Sequence, residues 1–112
     1  MELKIKISTP EGFASVHDPK LKIIKSMFIK KARIIKETIS KKKDSIIYTV
    51  DCDYKSFVRI NKVIGMWGII TKSLFKNKLF SKAIKKMADS PQDYETVKDL
   101  ITGGTTMEIL KF

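Results

Sequence analysis

The sequence of 112 residues is poor in the residues that build cross-linked, loop-rich or metal-binding proteins. It contains one Cys, one His, three Pro and five Gly. Because Cys52 is alone, an internal disulfide and a four-cysteine metal site are excluded, which favours a reducing, cytoplasmic compartment. The scarcity of Pro and Gly, with 43% hydrophobic residues, excludes collagen-like and strongly disordered chains.

Long hydrophobic runs are absent as well. The longest apolar-looking stretch, residues 63–70, is far shorter than the roughly 20 residues that cross a bilayer. The first residues alternate apolar and polar side chains, whereas a secretory signal needs an unbroken apolar stretch of roughly 7 to 15 residues. We therefore expect no transmembrane segment. The length of 112 residues predicts one domain over residues 1–112.

Acidic residues are scarce relative to basic ones, and the imbalance lies in the middle of the chain. The protein has 23 Lys and Arg against 12 Asp and Glu, a net charge of +11. Residues 19–88 have a net charge of +15, whereas residues 1–18 have −1 and residues 89–112 have −3. Of the basic residues 21 are Lys, beside 17 Ile, a combination that A/T-rich coding also produces. The segregation nevertheless indicates a contact surface for a polyanion in the middle of the chain.

The first half of the chain predicts a strand, a long helix and a second strand. Leu3, Ile5 and Ile7 alternate with polar residues, which is typical of a half-buried strand. Asp18 followed by Pro19 is a helix start, and apolar residues at spacings of three or four predict one helix to about residue 40. After a polar connection, alternation over residues 46–52 predicts the second strand.

The second half predicts mainly helices. Asp53 is a candidate cap for a helix from residue 54, and for residues 63–72 the pattern leaves helix and strand open, of which we favour helix. A third helix is predicted from an apolar stripe with two apolar neighbours; the stripe is Phe75, Leu79, Ala83 and Met87, and Phe80 and Ile84 lie beside it. Ser90 and Pro91 begin a fourth helix, which Gly103 and Gly104 end.

Residues 105–112 predict a last strand. The predicted fold class is therefore α+β, in the order β-α-β-α-α-α-β, with a small, mostly antiparallel sheet of about three strands covered by amphipathic helices.

The first three predicted helices each carry a stripe of cations on the wet face, as positions at 100° per residue show. No carboxylate lies within these stripes, so they forgo the i,i+4 ion pairs that are worth roughly 0.2 to 0.5 kcal/mol each. These candidate nucleic-acid-binding residues are Lys22, Lys25, Lys30, Arg33 and Lys36 on the first helix, Lys55, Arg59 and Lys62 on the second, and Lys78, Lys82, Lys85 and Lys86 on the third.

The charge favours a small basic protein that binds DNA or RNA by Lys-dominated phosphate contacts. Sequence preference is expected to be weak, because base readout relies on Arg, Asn and Gln. The alternative is a protein-interaction module, a small regulator or assembly subunit that binds an acidic protein surface. A third class is a protein that binds anionic membranes. The non-functional interpretation is that the charged helix faces serve only solubility. Tyr48, Tyr54 and Trp67 offer rings for base stacking, but each lies on an apolar stripe or strand that is typical of a core.

Motifs for catalysis are missing. His17 and Cys52 are distant in sequence and have no flanking motif, and Asp51 and Asp53 are more simply a strand end and a helix cap. The paired glycines at 103–104 follow a helix and lack the lysine of a phosphate-binding loop. We therefore expect neither enzymatic activity nor a metal or cofactor.

Overall fold

The structure, a computed structural model, describes residues 1–69 and 78–111. Its elements, in chain order, are β1 (Glu2–Ser8), α1 (Pro19–Phe28), β2 (Arg33–Ile39), β3 (Ser45–Asp51), α2 (Tyr54–Ile69), α3 (Lys78–Met87), α4 (Pro91–Thr102) and β4 (Thr106–Lys111). The α+β class is confirmed, but the sheet has four strands instead of about three, and one strand was not predicted.

The four strands form an antiparallel sheet in the order β2-β3-β1-β4. β1 and β2 therefore run parallel to each other with β3 between them, and β3 and β4 run parallel with β1 between them. Such a pair of helix-linked crossovers is the split βαβ arrangement. Each edge strand carries a register shift, at residues 34–36 in β2 and opposite residues 4–5 in β4.

One face of this sheet is buried under the helices. Leu3, Ile5 and Ile7 of β1 are fully buried, as their alternation predicts. They pack in one hydrophobic core with side chains of α1, α2, α3 and α4, among them Ile24, Ile60, Ile84 and Val97. The opposite residues of each strand form the open face of the sheet.

The prediction of one long helix to about residue 40 is wrong in its second half. α1 ends at Phe28, and the next residues turn back because Lys31 adopts a left-handed backbone conformation with φ 66°. Residues 33–39 then form β2, whose Ile and Thr residues are typical of strands. Pairing with β3 satisfies the backbone of this segment in place of helical hydrogen bonds.

The helix starts are confirmed where a capping side chain precedes proline. The Oδ1 atom of Asp18 accepts a hydrogen bond from the N–H of Lys20 at 2.9 Å, and the Oγ atom of Ser90 accepts one from Asp93 at 3.1 Å. α4 ends at the paired glycines, where Gly104 has φ +97° and an added Cβ would lie 3.3 Å from the Pro10 side chain.

Other boundaries differ in detail. Helix is confirmed for residues 63–69, whereas residues 70–72, Phe75 and Phe112 lie outside the described residues. The strand predicted over 46–52 ends at Asp51. In α3 the predicted apolar stripe is wrong at Leu79, which is 80% exposed, whereas Ile84, predicted beside the stripe, is 3% exposed. The buried side of α3 is therefore centred on Ile84.

Candidate nucleic-acid interface

The five cations predicted for the face of the first helix do not lie together. Lys22 is exposed on α1, and Lys30 is exposed in the turn after α1. The Lys25 side chain is about three-quarters buried, with its Nζ atom 3.5 Å from Oε1 of Glu37 on β2. The remaining two cations, Arg33 and Lys36, belong to β2. The prediction that these five cations share one helical face is wrong, because α1 ends at Phe28.

Arg33 and Lys36 lie on the open face of the sheet. Arg33 is paired with Asp51, at 3.4 Å between Nη2 and Oδ2. Lys36 lies opposite Thr49, which on its other side lies opposite Lys4. With strands roughly 4.8 Å apart, Lys4 and Lys36 are about 10 Å apart across Thr49. The sequence pattern did not predict that Lys4 lies near Lys36, because only the order of the strands makes the two residues neighbours.

The open face as a whole is mixed in charge. Lys6 lies opposite Glu108, and Glu2 lies opposite Asp51. Among the residues that the structure describes, this face presents no aromatic side chain, since Tyr48 points into the core. Sheets that bind single-stranded RNA stack bases on aromatic side chains. Among the described residues, the open face therefore has neither a uniform positive charge nor an aromatic side chain. Both of these features would favour binding of a nucleic acid.

On α2 the predicted stripe is intact. Lys55, Arg59 and Lys62 are all exposed, and the opposite side of the helix is anchored in the core by Ile60 and Ile64. None of the three cations is within 4 Å of an acidic group in the described part of the chain. Their charges are consequently available to an external anion.

The four cations of α3 are likewise all exposed; they are Lys78, Lys82, Lys85 and Lys86. Lys85 also lies over the ring of Tyr94 on α4, with Nζ 5.1 Å from the ring centroid. Lys85 and Lys86 occupy the last turn of α3, where the helix dipole favours cations. The helix dipole therefore explains the position of Lys85 and Lys86. It does not explain Lys78 and Lys82, which lie in the first and middle turns of α3.

Acidic residues are absent from the stretch of sequence that holds these cations. Residues 54–88 contain nine Lys and Arg and no Asp or Glu. Two of the nine, Lys72 and Lys76, lie outside the described residues. We call the other seven, which are exposed, the α2–α3 cations; they are Lys55, Arg59, Lys62, Lys78, Lys82, Lys85 and Lys86.

The acidic residue that precedes the α2–α3 cations in the sequence has a structural role. Asp53 caps α2, with its Oδ1 atom accepting a hydrogen bond from the N–H of Ser56 at 2.7 Å. This hydrogen bond lowers the pKa of Asp53, and the nearby charges of Lys55 and Lys31 lower it further. The carboxylate of Asp53 is thus already compensated within the fold.

The aromatic side chains divide into buried and exposed ones. Tyr48 is fully buried and belongs to the core as predicted, whereas the prediction is wrong for Tyr54, which is 71% exposed at the first position of α2. The side chain of Trp67 lies outside the described part of the structure. The sequence did not predict the exposure of Tyr54, because its spacing to Phe57 and Ile60 matches a buried helix stripe. Tyr54 is exposed because it is the first residue of α2 and lies beyond the edge of the core.

The acidic and nucleophilic residues considered for catalysis serve the fold. Asp51 contacts the N-terminal amine at 3.3 Å and also Arg33, and both contacts lower its pKa, the amine more strongly. Cys52 is buried, and burial raises the pKa of its thiol, which is the opposite of an activated nucleophile. Within residues 1–69 and 78–111, no three His, Cys, Asp or Glu side chains are grouped so that they could hold a metal ion.

The chain matches no protein-family model, and comparisons with curated proteins and with solved structures give no match either. None of the helices, as far as they are described, combines the length and apolar character that crossing a membrane requires.

Proposed function

We propose that this protein binds nucleic acid by phosphate contacts along α2 and α3. The single observation that carries the proposal is the run of 35 residues, 54–88, with nine cations and no acidic residue. Seven of these cations are exposed on two helices of the structure. Like charges held this close repel one another, and a polyanion is the partner that removes the repulsion.

Coding bias toward Lys supplies cations but does not remove acids from one segment. The same chain places five acidic residues in its last 24 residues and has acidic side chains on the open face of the sheet. Residues 54–88 are the longest stretch without an acidic residue, and residues 19–36, with seven Lys and Arg, are another. A solubility surface would gain from mixed signs, because i,i+4 pairs stabilise a helix.

The chemistry of the α2–α3 cations favours binding with weak sequence preference. Six of the seven are Lys, which contacts phosphate as a point charge, and Arg59 alone has the fork that reads a base edge bidentately. Affinity is expected in the range of non-specific binding, roughly 10⁻⁴ to 10⁻⁶ M at physiological salt. We further propose the cytoplasm as the compartment, since a reducing environment suits a lone buried cysteine.

The decisive experiment compares two variants of equal net charge. One replaces Lys55, Arg59, Lys62 and Lys82 by Gln, and the control replaces four exposed lysines outside the helices, namely Lys4, Lys36, Lys41 and Lys42. Both sets lower the net charge from +11 to +7. Fluorescence anisotropy over a range of salt concentrations then measures affinity and its salt dependence for labelled DNA and RNA.

We expect the helix variant to lose affinity and the control to lose much less. For duplex DNA the slope of log K against log salt should shrink by up to about 0.9 for each phosphate contact removed. Equal losses in both variants would mean that only net charge matters. Absence of wild-type binding at low salt would overturn the proposal altogether.

A second function, binding to an acidic protein surface, is favoured by one observation on α3. Leu79 is 80% exposed and adjoins Lys78 and Lys82, so an apolar side chain lies among cations on the surface of this helix. Such a complex would keep most of its affinity at high salt, and Leu79→Ala would weaken it. Nucleic-acid binding should respond to salt and hardly to Leu79→Ala.

A further inference from the structure

Tyr54 is an exposed aromatic residue beside the cations of α2. It is 71% exposed, whereas Tyr48 and Tyr94 are 0% and 5% exposed. Its ring contacts the ring of Phe57, with centroids 6.2 Å apart and planes inclined by 43°. Phe57 is itself packed against the core, so it supports the Tyr54 ring from the protein side.

The exposed apolar surface continues along α2. Val58, one turn after Tyr54, is 46% exposed, and residues four apart lie on the same side of a helix. Lys55 and Arg59 are the next residue in each turn, so a cationic row runs directly beside the apolar one. Rings next to cations are the arrangement by which proteins hold unpaired bases and their phosphates.

This pairing distinguishes single strands from duplexes. Phosphates are present in both, so the cations bind either form. The faces of the bases are accessible for stacking on a side chain only where the bases are unpaired. A ring at this place therefore adds affinity for single strands alone.

We propose that Tyr54 stacks on an unpaired base while Lys55 and Arg59 contact the neighbouring phosphates, so that single-stranded nucleic acid is the preferred ligand. This inference rests on the proposed function and specifies its substrate class. The exposure of Tyr54 and the acid-free run of cations that begins beside it support it independently of each other.

The test measures anisotropy with a labelled oligothymidylate and with a labelled duplex of the same length. Tyr54→Ala should weaken binding of the single strand about five- to 150-fold, the range found for loss of one stacked base, and should change duplex binding less than about twofold. Tyr54→Phe keeps the ring and should retain wild-type affinity. Val58→Ala is the matched control for loss of exposed apolar surface, and thermal unfolding verifies that each variant is folded.

Equal effects of Tyr54→Ala on the two ligands, or no effect on either, would overturn the stacking role while leaving phosphate binding intact. Failure of the wild-type protein to bind either ligand would instead remove the proposed function. Vesicles of phosphatidylserine and phosphatidylcholine provide a third arm. Vesicle binding that depends on Tyr54, with no selective effect on the single strand, would also overturn the inference.

Discussion

The ammonium group of Lys25 lies 3.5 Å from the carboxylate of Glu37, which joins α1 to the edge strand β2. The same ammonium lies 5.5 Å from the centroid of the Tyr48 ring. Both side chains of the ion pair are about three-quarters buried. The charge of Lys25 is thus used inside the fold, although its helical position matches that of a solvent-facing cation.

Lys25→Gln should therefore leave the proposed nucleic-acid binding nearly unchanged, whereas Lys55→Gln should weaken it. Lys55 has no acidic group within 4 Å among the described residues, and losing one phosphate contact lowers the duplex salt slope by up to about 0.9. Salt titrations of the two single variants measure the difference. A larger loss of slope for Lys25→Gln would place the interface on α1 instead.

Tyr48→Phe should leave the protein as stable as before or more stable. The Tyr48 hydroxyl is buried and has no hydrogen-bond partner among residues 1–69 and 78–111, and an unsatisfied buried polar group is destabilising. Burial and the nearby carboxylate of Glu37 raise the pKa of Tyr48, so the phenol stays neutral. We expect a gain of up to about 1 kcal/mol in the free energy of unfolding by urea. A loss of that size would reveal a hydrogen bond to this hydroxyl.

Asp53→Ala should destabilise the protein by about 0.5 to 2 kcal/mol, because it removes the side chain that accepts the Ser56 N–H at the start of α2. Asp53→Asn keeps an acceptor and should cost little. Chemical denaturation compares the two variants. Equal destabilisation would show that the negative charge of Asp53 matters more than its capping hydrogen bond.

The contribution of Asp51 to stability should depend on pH. Its pKa is lowered in the folded protein, chiefly by the N-terminal amine and then by Arg33, from an unfolded value near 3.8. The folded state therefore binds the proton less readily than the unfolded state, so the stabilisation is present above about pH 4. It disappears as the pH falls through the lowered pKa.

Unfolding free energies of the wild type and Asp51→Asn, measured from about pH 6 to about pH 2, test this sign. The difference between the two proteins should shrink as the pH falls. A difference that is constant over this range would mean that the carboxylate of Asp51 titrates alike in both states. Asp53 is present in both proteins, so its own titration cancels in the comparison.

Strong local signals were sufficient to predict most of the fold. Asp18 and Ser90 before proline mark helix starts, and the alternation of Leu3, Ile5 and Ile7 marks a central strand. These signals succeed because capping and alternation act within a few residues.

The missed strand β2 had no such signal at its start. Phe28, Ala32, Ile35 and Ile39 are spaced three or four apart, which fits a continuing helix as well as the observed strand. The reversal occurs at Lys31, a lysine in a left-handed conformation that glycine usually occupies. Its cause is tertiary, because the edge of β3 offers backbone partners that a helix would leave unused.

The candidate site likewise has a part that local sequence signals predicted and a part that depends on tertiary structure. The cations of α2 and α3 were predictable because helical spacing alone sets which residues share a side. Those assigned to the first helix were not, since their position depends on strand pairing. The exposure of Tyr54 was also beyond the pattern, because the helix starts just outside the core and its first ring is left in solvent.

The register shifts in β2 and β4 have a consequence for association between copies of the chain. A straight sheet edge offers a row of unpaired amides to which another strand can add, and natural proteins interrupt such edges with bulges and charged residues. β2 combines its irregularity at residues 34–36 with Arg33 and Lys36, and β4 lies beside an irregularity at residues 4–5 and carries Glu108. Both edges are thus protected against edge-to-edge aggregation. In the proposed complex with a polyanion, where the cations are neutralised and charge repulsion no longer keeps the copies apart, these edges would still prevent strand pairing between neighbouring copies.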